Sequence, residues 1–465
     1  MKLPLIPTLF AACLLLAIQT KAQENQAETI SLSLKQAQEY AVKNNADSRN
    51  SALDMEIAKK KIWETTAMGL PQINAQANYQ HLFKVPELSL GGSTYLATDL
   101  PAGTPITSDD INNQNVYMGF TPGAPIELGV KNNTTLDITV SQLVFSGEYI
   151  VALQATKIFY TMTDQNRQKV EIDLRESVAN IYASALLVEN NRDVMQKSLE
   201  NSEKTLSDMK QMLEQGLVEN TDVDQIEFVT LTLKNGVGNL NRELEYTLLL
   251  LKFRLGMPFT DNLILTDKLE SIAESIQLES LLATQFNINN NLDYQIALNA
   301  ESISNLNLKR EKSKYLPDLM AVYRHSAKVN TPEFDFAPKD VFQISMNIPI
   351  FSSGMRNARV QQSKMELQKM VNSKDNLSNA LQLSYVNAQN KLTQAYENYL
   401  NDQKNIELTK RIYDKTLVKF DEGIATSRQI TDDLNQYLNA QRNLYVSIFG
   451  LFTAKNTLDK LNNNL

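Results

Sequence analysis

The sequence Leu143-Val144-Phe145-Ser146-Gly147 returns later in the chain as Pro349-Ile350-Phe351-Ser352-Ser353-Gly354. A second pair of related stretches follows at almost the same spacing, with Glu214-Gln215-Gly216-Leu217 corresponding to Asp421-Glu422-Gly423-Ile424. The two phenylalanines are 206 residues apart, and the two central glycines are 207 residues apart. Two matched spacings of this kind indicate an internal duplication, in which each half of the chain builds the same architecture.

A third pair extends the duplication toward the start of each half. Gly69-Leu70-Pro71-Gln72-Ile73 corresponds to Tyr315-Leu316-Pro317-Asp318-Leu319, at the larger spacing of 246 residues. The first half therefore has about 40 additional residues between its proline and its Phe-Ser-Gly. Residues 84–132 hold 11 of the chain's 28 glycines and prolines and are predicted to form a long surface loop, whereas the counterpart at 331–339 is short.

Each half is predicted to contain a pair of strands, at about 71–83 and 134–145 and at about 317–328 and 340–351. Apolar and polar side chains alternate along the first strand, where Ile73, Ala75 and Ala77 are separated by amides. The alternation is poor in the third strand. Strands between lipid and a water-filled lumen show this alternation, and so do the strands of a solvated antiparallel sheet. The polar faces here are almost uncharged, which favours the first arrangement.

Long helices follow each strand pair. In the second half, an aromatic or aliphatic residue recurs every seven positions, at Tyr385, Leu392, Tyr399, Ile406, Tyr413 and Phe420. Sustained heptads are typical of coiled-coil packing. A helix from about 150 to 213 would be about 95 Å long, which suits a rod or tube better than a globule. Gly216 and Gly423 are predicted to end the helices, where the chain turns back.

Composition and the N-terminus limit the classes of function. Lys2 precedes an apolar stretch from Leu3 to Ile18, which predicts a secretory signal over residues 1–22 with cleavage after Ala22. A membrane anchor, or acylation at Cys13, are the alternatives. The net charge of −8 argues against nucleic-acid binding. A mean hydropathy of −0.30 argues against a polytopic helical membrane protein but is compatible with a β-barrel.

At this point the sequence resembles the TolC family of outer-membrane factors. The resemblance rests on the duplicated halves, the strand that follows a proline, the Phe-Ser-Gly before each long helix, and the two turn motifs. It implies a mixed α+β membrane protein that forms a homotrimer. Four strands per protomer would close one 12-stranded β-barrel, and long antiparallel coiled-coil helices would form an α-barrel through the periplasm. The implied division is a first repeat at 23–255, an equatorial linker at 256–290 and a second repeat at 291–465.

The resemblance also assigns roles to the turns. In the family, the turns dock onto a periplasmic adaptor that bridges to an inner-membrane transporter. The corresponding residues here are Gly216, Leu217, Val218, Thr221 and Asp222 in the first turn, and Gly423, Ile424, Ala425 and Thr426 in the second. Plain turn formation is the alternative explanation for each of them.

The family closes its tube with acidic rings six and nine residues after the second glycine. These positions are Gln429 and Asp432, so that one acid is kept and the other is an amide, and Asp433 is the nearest competitor. Three Asp432 carboxylates around a narrow axis would repel one another unless cations lie between them, which predicts cation selectivity and divalent block. A family link between the turns pairs an acid with an arginine. Asp222 could supply the acid, but Ala425 occupies the arginine position, and Arg428 would need a different geometry.

The sequence contains little that suggests catalysis. His81 and His325 are its two histidines, each following a strand-leading proline at a similar distance, and without cysteines they make a poor metal site. No phosphate-binding loop, zinc-protease motif or nucleophile elbow is found. We therefore expect no enzyme activity, no metal and no cofactor. The expected function is a passive export duct in outer-membrane lipid, extending into the periplasm, with a substrate that the sequence does not identify. The alternative is a structural coiled-coil stalk or surface fibre.

Overall fold

A computed structural model of the protein describes residues 29–464, except residues 90, 114–115, 124, 275, 284 and 333–334. The expected signal peptide at 1–22, with Cys13, lies outside the described residues. The chain divides into two compact units. The helical unit contains the described residues up to 57 together with 161–301 and 370–464, and the sheet unit contains 58–160 and 302–369.

Ten α-helices and one short 3-10 helix, Ile288–Asn290, are found among the described residues. Two of them, α4 and α9, have 68 and 67 residues. In chain order the helices are α1 (Leu34–Asn44), α2 (Ala46–Ala67), α3 (Ser108–Asn112), α4 (Gly147–Glu214), α5 (Asn220–Leu255), α6 (Leu269–Glu274), α7 (Leu278–Ala283), α8 (Leu292–Ser313), α9 (Met355–Asp421) and α10 (Ser427–Leu461). Within the described residues, none of these helices combines the length and apolar character needed to cross a bilayer.

The strands, in chain order, are β1 (Thr29–Leu32), β2 (Gln72–His81), β3 (Glu87–Ser89), β4 (Gly92–Thr98), β5 (Val116–Pro122), β6 (Pro125–Glu127), β7 (Asn132–Phe145), β8 (Asn262–Leu265), β9 (Asp318–Lys328) and β10 (Asp340–Asn347). The sheet unit is built on a four-stranded antiparallel sheet in the order β10-β9-β7-β2. The residues between β2 and β7, predicted as a loop, include α3 and two short antiparallel ladders, β3–β6 and β4–β5.

The two faces of the four-stranded sheet differ in polarity because directly paired residues share a face. Ile73 lies opposite Val140 and Ala75 lies opposite Ile138, so that one face is apolar across β2 and β7. The neighbouring pairs, Gln72 with Ser141 and Asn74 with Thr139, give the other face amides and hydroxyls. In β9, Met320 lies opposite Ser345 and Val322 lies opposite Gln343, so both are on the face of the polar residues, which is why the alternation of that strand is poor.

The helical unit contains the buried core. Its largest cluster surrounds Tyr182, which is fully buried, and it includes residues from α1, α4, α5 and α10. The Tyr182 hydroxyl donates to the Leu32 carbonyl at 3.0 Å and accepts from the Thr266 and Asp267 amides at 3.2 and 3.3 Å. Tyr182 therefore fastens α4 to the end of the parallel β1–β8 ladder.

Gly236, inside α5, allows α4 to pack closely against that helix. A β-carbon at Gly236 would lie 2.3 Å from the Met195 Sδ, which is far below van der Waals contact. A β-carbon at Gly238 would meet only the Arg242 Nη1, at 3.7 Å. Close packing therefore explains the first glycine, whereas the second lies in open surroundings.

Candidate functional site

The first helical turn connects α4 to α5 through Gly216. This glycine has φ of +71°, a left-handed conformation that side chains disfavour. Its amide donates to the Leu213 carbonyl at 2.9 Å, and the Leu217 amide donates to the Met212 carbonyl at 2.9 Å. These two bonds form a Schellman motif, which satisfies carbonyls at the end of the helix. The predicted helix end at Gly216 thus has a local physical cause.

The second turn connects α9 to α10 and repeats this geometry. Gly423 has φ of +76°, and its amide donates to the Phe420 carbonyl at 2.8 Å. The following helix then begins with a capping box, in which the Gln429 amide donates to Thr426 Oγ1 and the Gln429 Oε1 accepts from the Thr426 amide at 3.0 Å. The side chain of Gln429, predicted at the aperture, therefore has a capping role in this structure.

A hydrogen bond between side chains connects the two turns. The Ser427 Oγ donates to the Asp222 Oδ1 over 2.6 Å. Ser427 is 2% exposed and Asp222 is partly buried, so that water competes little for the bond. The acid expected from the sequence is thus engaged, but its partner is a serine hydroxyl at the first position of α10. Arg428 takes no part in this bond.

The two neighbouring aspartates of α10 have different surroundings. Asp433 accepts a hydrogen bond from Thr416 Oγ1 at 2.7 Å, which directs it toward α9. Asp432 is exposed, and its Oδ2 lies 3.9 Å from the Arg428 Nε. An exposed ion pair at that distance is weak. Asp432 is therefore the carboxylate of this pair that is open to solvent.

Farther along α9 and α10 from Gly423, the two helices pack through a pair of tyrosine rings. The rings of Tyr413 and Tyr437 are stacked, with centroids 5.9 Å apart and planes within 3°. Both rings pack against the buried cluster that includes Ile430 and Leu434. Burial raises the pKa of both phenols above its ordinary value, so that they remain uncharged at neutral pH. The aromatic pair thus provides a rigid apolar support for the start of α10.

The other predicted turn residues differ in exposure. Leu217 and Ile424 project from the two turns and are 68% and 70% exposed. Val218 instead packs against the buried cluster of Met209 and Ile226. Ala425 is partly buried, whereas Thr221 is exposed and donates to Glu219 Oε2 at 3.3 Å. The two exposed side chains give each turn an apolar tip.

Ser427 is the functional candidate that sequence reasoning missed. The family pattern predicts an arginine as the partner of Asp222, although a hydroxyl follows the capping Thr426 directly. The spacing Thr-x-x-Gln from Thr426 to Gln429 also marks the start of a helix. This spacing could have placed Ser427 at the first position of α10, although it does not indicate that Ser427 contacts Asp222.

The described residues offer no arrangement typical of a metal centre, since no three histidine, cysteine or acidic side chains cluster among them. The His81 Nδ1 is bonded to the Asn132 Oδ1, and the His81 ring also meets the Phe83 ring edge to face, whereas the His325 Nδ1 is bonded to the Asp340 Oδ1. The site thus consists of two joined turns with an exposed aspartate and two apolar tips. Such an arrangement can bind ions or a partner surface.

Comparison with known proteins gives an answer at the level of structure. No protein-family model and no curated protein matches the chain. Several solved structures do match the chain. One of them is CusC, which is described as forming a transmembrane channel; the TM-score is 0.69, the identity is 15%, and the match covers 95% of both chains. Another is the outer membrane protein VceC of Vibrio cholerae, with a TM-score of 0.68, 14% identity and coverage of 92% of this chain and 96% of that chain.

The CmeC outer membrane channel of Campylobacter jejuni also matches, with a TM-score of 0.69 and 14% identity. The match covers 93% of this chain and 86% of that chain. This chain has the fold of the TolC-like outer membrane factors. The resemblance inferred from the motifs is therefore confirmed for the fold, and the expectation of a mostly helical chain with some strands is confirmed with it. The outer membrane factor fold extends over nearly the whole described chain.

Proposed function

We propose that the protein is a trimeric outer-membrane channel, which passively conducts substrates from a periplasmic adaptor and an inner-membrane transporter to the exterior. The observation that carries this proposal is the outer membrane factor fold, since the match to the CusC structure covers 95% of this chain. The channel extends into the periplasm through its long helices. It needs no catalytic group, because the partner supplies the energy.

The four-stranded sheet supports insertion into lipid. Its apolar face includes Ile73, Phe342 and Ile344, which are all exposed in the single chain. Its opposite face has amides and hydroxyls and can line a wet lumen. Three copies would supply the twelve strands of one closed barrel, which would also pair the free edges of β2 and β10.

Exposed apolar side chains on the long helices support assembly with further copies. Phe228 and Leu231 lie one turn apart on α5, and Leu408 and Ile412 lie one turn apart on α9, all of them exposed. Exposed apolar rows of this kind suit contacts between helices of neighbouring protomers. A homotrimer in which the four long helices of each copy form an α-barrel would cover them.

The lengths of the elements support the proposed duplication. The outgoing helices α4 and α9 have 68 and 67 residues, and the returning helices α5 and α10 have 36 and 35. We assign residues 23–255 to the first repeat, 256–290 to the linker and 291–465 to the second repeat. The two turns then occupy equivalent positions.

We assign the closed aperture to Asp432, with Gln429 and Asp433 as its neighbours. Asp432 is the most suitable of the three because Gln429 caps α10 and Asp433 binds Thr416. We assign adaptor docking to the two turns. Leu217 and Ile424 would make the apolar contacts, because both are exposed without an evident folding role.

An ion-flux experiment separates the channel from a structural stalk. The purified protein is reconstituted into liposomes that contain a potassium-sensitive dye, and potassium entry is measured against empty liposomes. Entry that increases with the protein-to-lipid ratio is expected for a channel. A folded, membrane-inserted protein that admits no more potassium than empty liposomes would contradict the proposal and favour the stalk.

A further inference from the structure

A cavity of about 540 Å³ lies within the helical unit, where the start of α1 meets α4, α6 and the last third of α10. We call it the α1 cavity. Its volume is in the range of pockets that hold small ligands. None of its lining residues belongs to the two turns, so that the α1 cavity is separate from the candidate site described above.

Part of the lining is apolar and belongs to the buried core. Phe452 of α10 lies in a buried cluster with Ala179 and Ala183 of α4, and Leu34 packs against that cluster. Ile276, which follows α6, also lines the cavity and is 7% exposed. Because the core holds these side chains in place, they provide a preformed apolar surface for the body of a ligand.

The start of α1 is already occupied by groups of the protein itself. The Leu34 amide donates to the Asp267 Oδ2 at 2.6 Å, and the Gln36 amide donates to the Ser33 Oγ at 3.4 Å. Among the described residues, Asp267 is the only carboxylate of the lining. Its negative charge therefore faces the positive end of α1, and the helix end is not the part of the cavity that is available to a ligand.

Three basic side chains line the α1 cavity, and two of them have no counter-charge. Lys455 is paired with Asp459 on its own helix, with 2.6 Å between Nζ and Oδ2. Lys35 and Arg175 form no ion pair with any residue that the structure describes. Arg175 is partly buried, and its contact with α1 is made by its carbonyl, which accepts from the Gln38 Nε2 at 3.1 Å. The guanidinium of Arg175 is therefore available to a ligand.

We propose that the α1 cavity binds small amphiphilic anions, with a carboxylate or phosphate at Arg175 and Lys35 and an apolar body against Phe452. The inference does not depend on the proposed channel, because every lining residue belongs to the helical unit. A guanidinium presents paired donors that match two oxygens of a carboxylate or phosphate, and salt screens a partly buried charge less than an exposed one. An ion without an apolar body gains only the first of these interactions.

Isothermal titration calorimetry of the full chain in detergent tests the inference. Octanoate and octyl phosphate are titrated below their micellar concentrations, and the heat of titration into protein-free micelles is subtracted. Octanol, which lacks the charge, and acetate, which lacks the apolar body, are titrated in parallel. Wild type is expected to bind at least one of the two amphiphilic anions saturably, and the tighter of them identifies the headgroup. Octanol and acetate are expected to give no saturable heat.

Four variants complete the experiment. Arg175→Gln should weaken the binding by at least about tenfold, because it removes charged hydrogen bonds. Lys35→Gln should weaken it less, because that side chain is exposed. Arg49→Gln makes the same change as Arg175→Gln at an exposed arginine of α2 and should titrate like wild type. Arg175→Lys keeps a cation and should retain more binding than Arg175→Gln, which separates the loss of charge from a folding defect.

Equal affinity of the Arg175→Gln variant and wild type for the anion would overturn the inference. The absence of saturable binding to wild type would also overturn it, as would equal binding of octanol or acetate. Potassium flux is measured separately, so that a protein that conducts but does not bind amphiphilic anions leaves the channel proposal intact.

Discussion

The Ser427 hydroxyl donates a 2.6 Å hydrogen bond to the Asp222 carboxylate, and this bond joins the turn between α9 and α10 to the turn between α4 and α5. A hydrogen bond to a charged group contributes about 1.5–3 kcal/mol when it is shielded from water. Ser427 is almost completely buried, so that the bond is shielded. It can therefore hold the two hairpins together at the end that we assign to the closed aperture.

Breaking this bond is expected to loosen the aperture. Asp222→Ala and Ser427→Ala should each increase the single-channel conductance, and the double variant should add little to either, because both remove the same bond. Thr221→Ala, which changes an exposed neighbour, should conduct like wild type. Conductances of both single variants at the wild-type level would show that the bond does not restrain the aperture.

The apolar tips are expected to bind the adaptor. Leu217→Ser/Ile424→Ser should reduce the yield of cross-links between the channel and its adaptor by at least about tenfold, since two well-placed apolar side chains can contribute 1–2 kcal/mol or more. Thermal stability should not change, because both side chains are exposed. Leu53→Ser, at a similarly exposed residue of α2, is the control. Equal cross-linking of the tip variant and the control would argue against docking at these tips.

The two glycines of α5 provide a matched pair of stability variants. Gly238→Ala should raise the free energy of unfolding by about 0.5–1 kcal/mol, because alanine favours the helix and meets no obstacle. Gly236→Ala should lose this gain or destabilise the protein, because its β-carbon would force Met195 to move. Thermal unfolding in detergent measures the difference. Equal stabilisation by both changes would contradict the close packing of α4 against α5.

Tyr182 is expected to make the protein sensitive to high pH. Burial is the main cause that raises the pKa of its phenol from 10.0 to about 12. The folded protein therefore holds this proton at a pH where the unfolded chain has lost it, so that the stabilisation is complete below pH 10 and is lost as the pH rises toward 12.

Tyr182→Phe tests this role directly. It should lower stability at neutral pH by about 1–3 kcal/mol, because it removes the hydroxyl that bonds the Leu32 carbonyl and the Asp267 amide, while the Thr266 amide still donates to the Leu32 carbonyl at 3.2 Å. It should also flatten the loss of stability between pH 10 and 12. Tyr246→Phe, at an exposed residue of α5, should do neither. An unchanged pH profile in Tyr182→Phe would assign the alkaline transition to another group.

Local sequence patterns predict the helices and their ends. Heptads indicate α4 and α9, and a glycine at the end of a heptad run predicts each turn, because Gly216 and Gly423 need only a left-handed backbone and two hydrogen bonds. These features depend on residues that are near one another in the chain, and therefore the sequence contains their cause.

Contacts between distant segments could not be predicted in the same way. The bond from Ser427 to Asp222 depends on how two hairpins, 205 residues apart in sequence, are aligned. The ladders β3–β6 and β4–β5 are hidden in a segment rich in glycine and proline, because turn residues mark where a chain bends but not which strands pair. Similarly, only the register of the strands places His81 opposite Asn132 and His325 opposite Asp340.

Single-channel recording in a planar bilayer, with wild type beside Asp432→Ala, tests the central claim most directly. The account predicts small, cation-selective steps that divalent cations block in wild type, and larger steps with weaker block in the variant, because the exposed carboxylates attract cations at the aperture. Asp433→Asn, whose side chain binds Thr416, serves as the control for a neighbouring acid. Absence of steps from wild-type protein that is shown to be folded and inserted would contradict the channel.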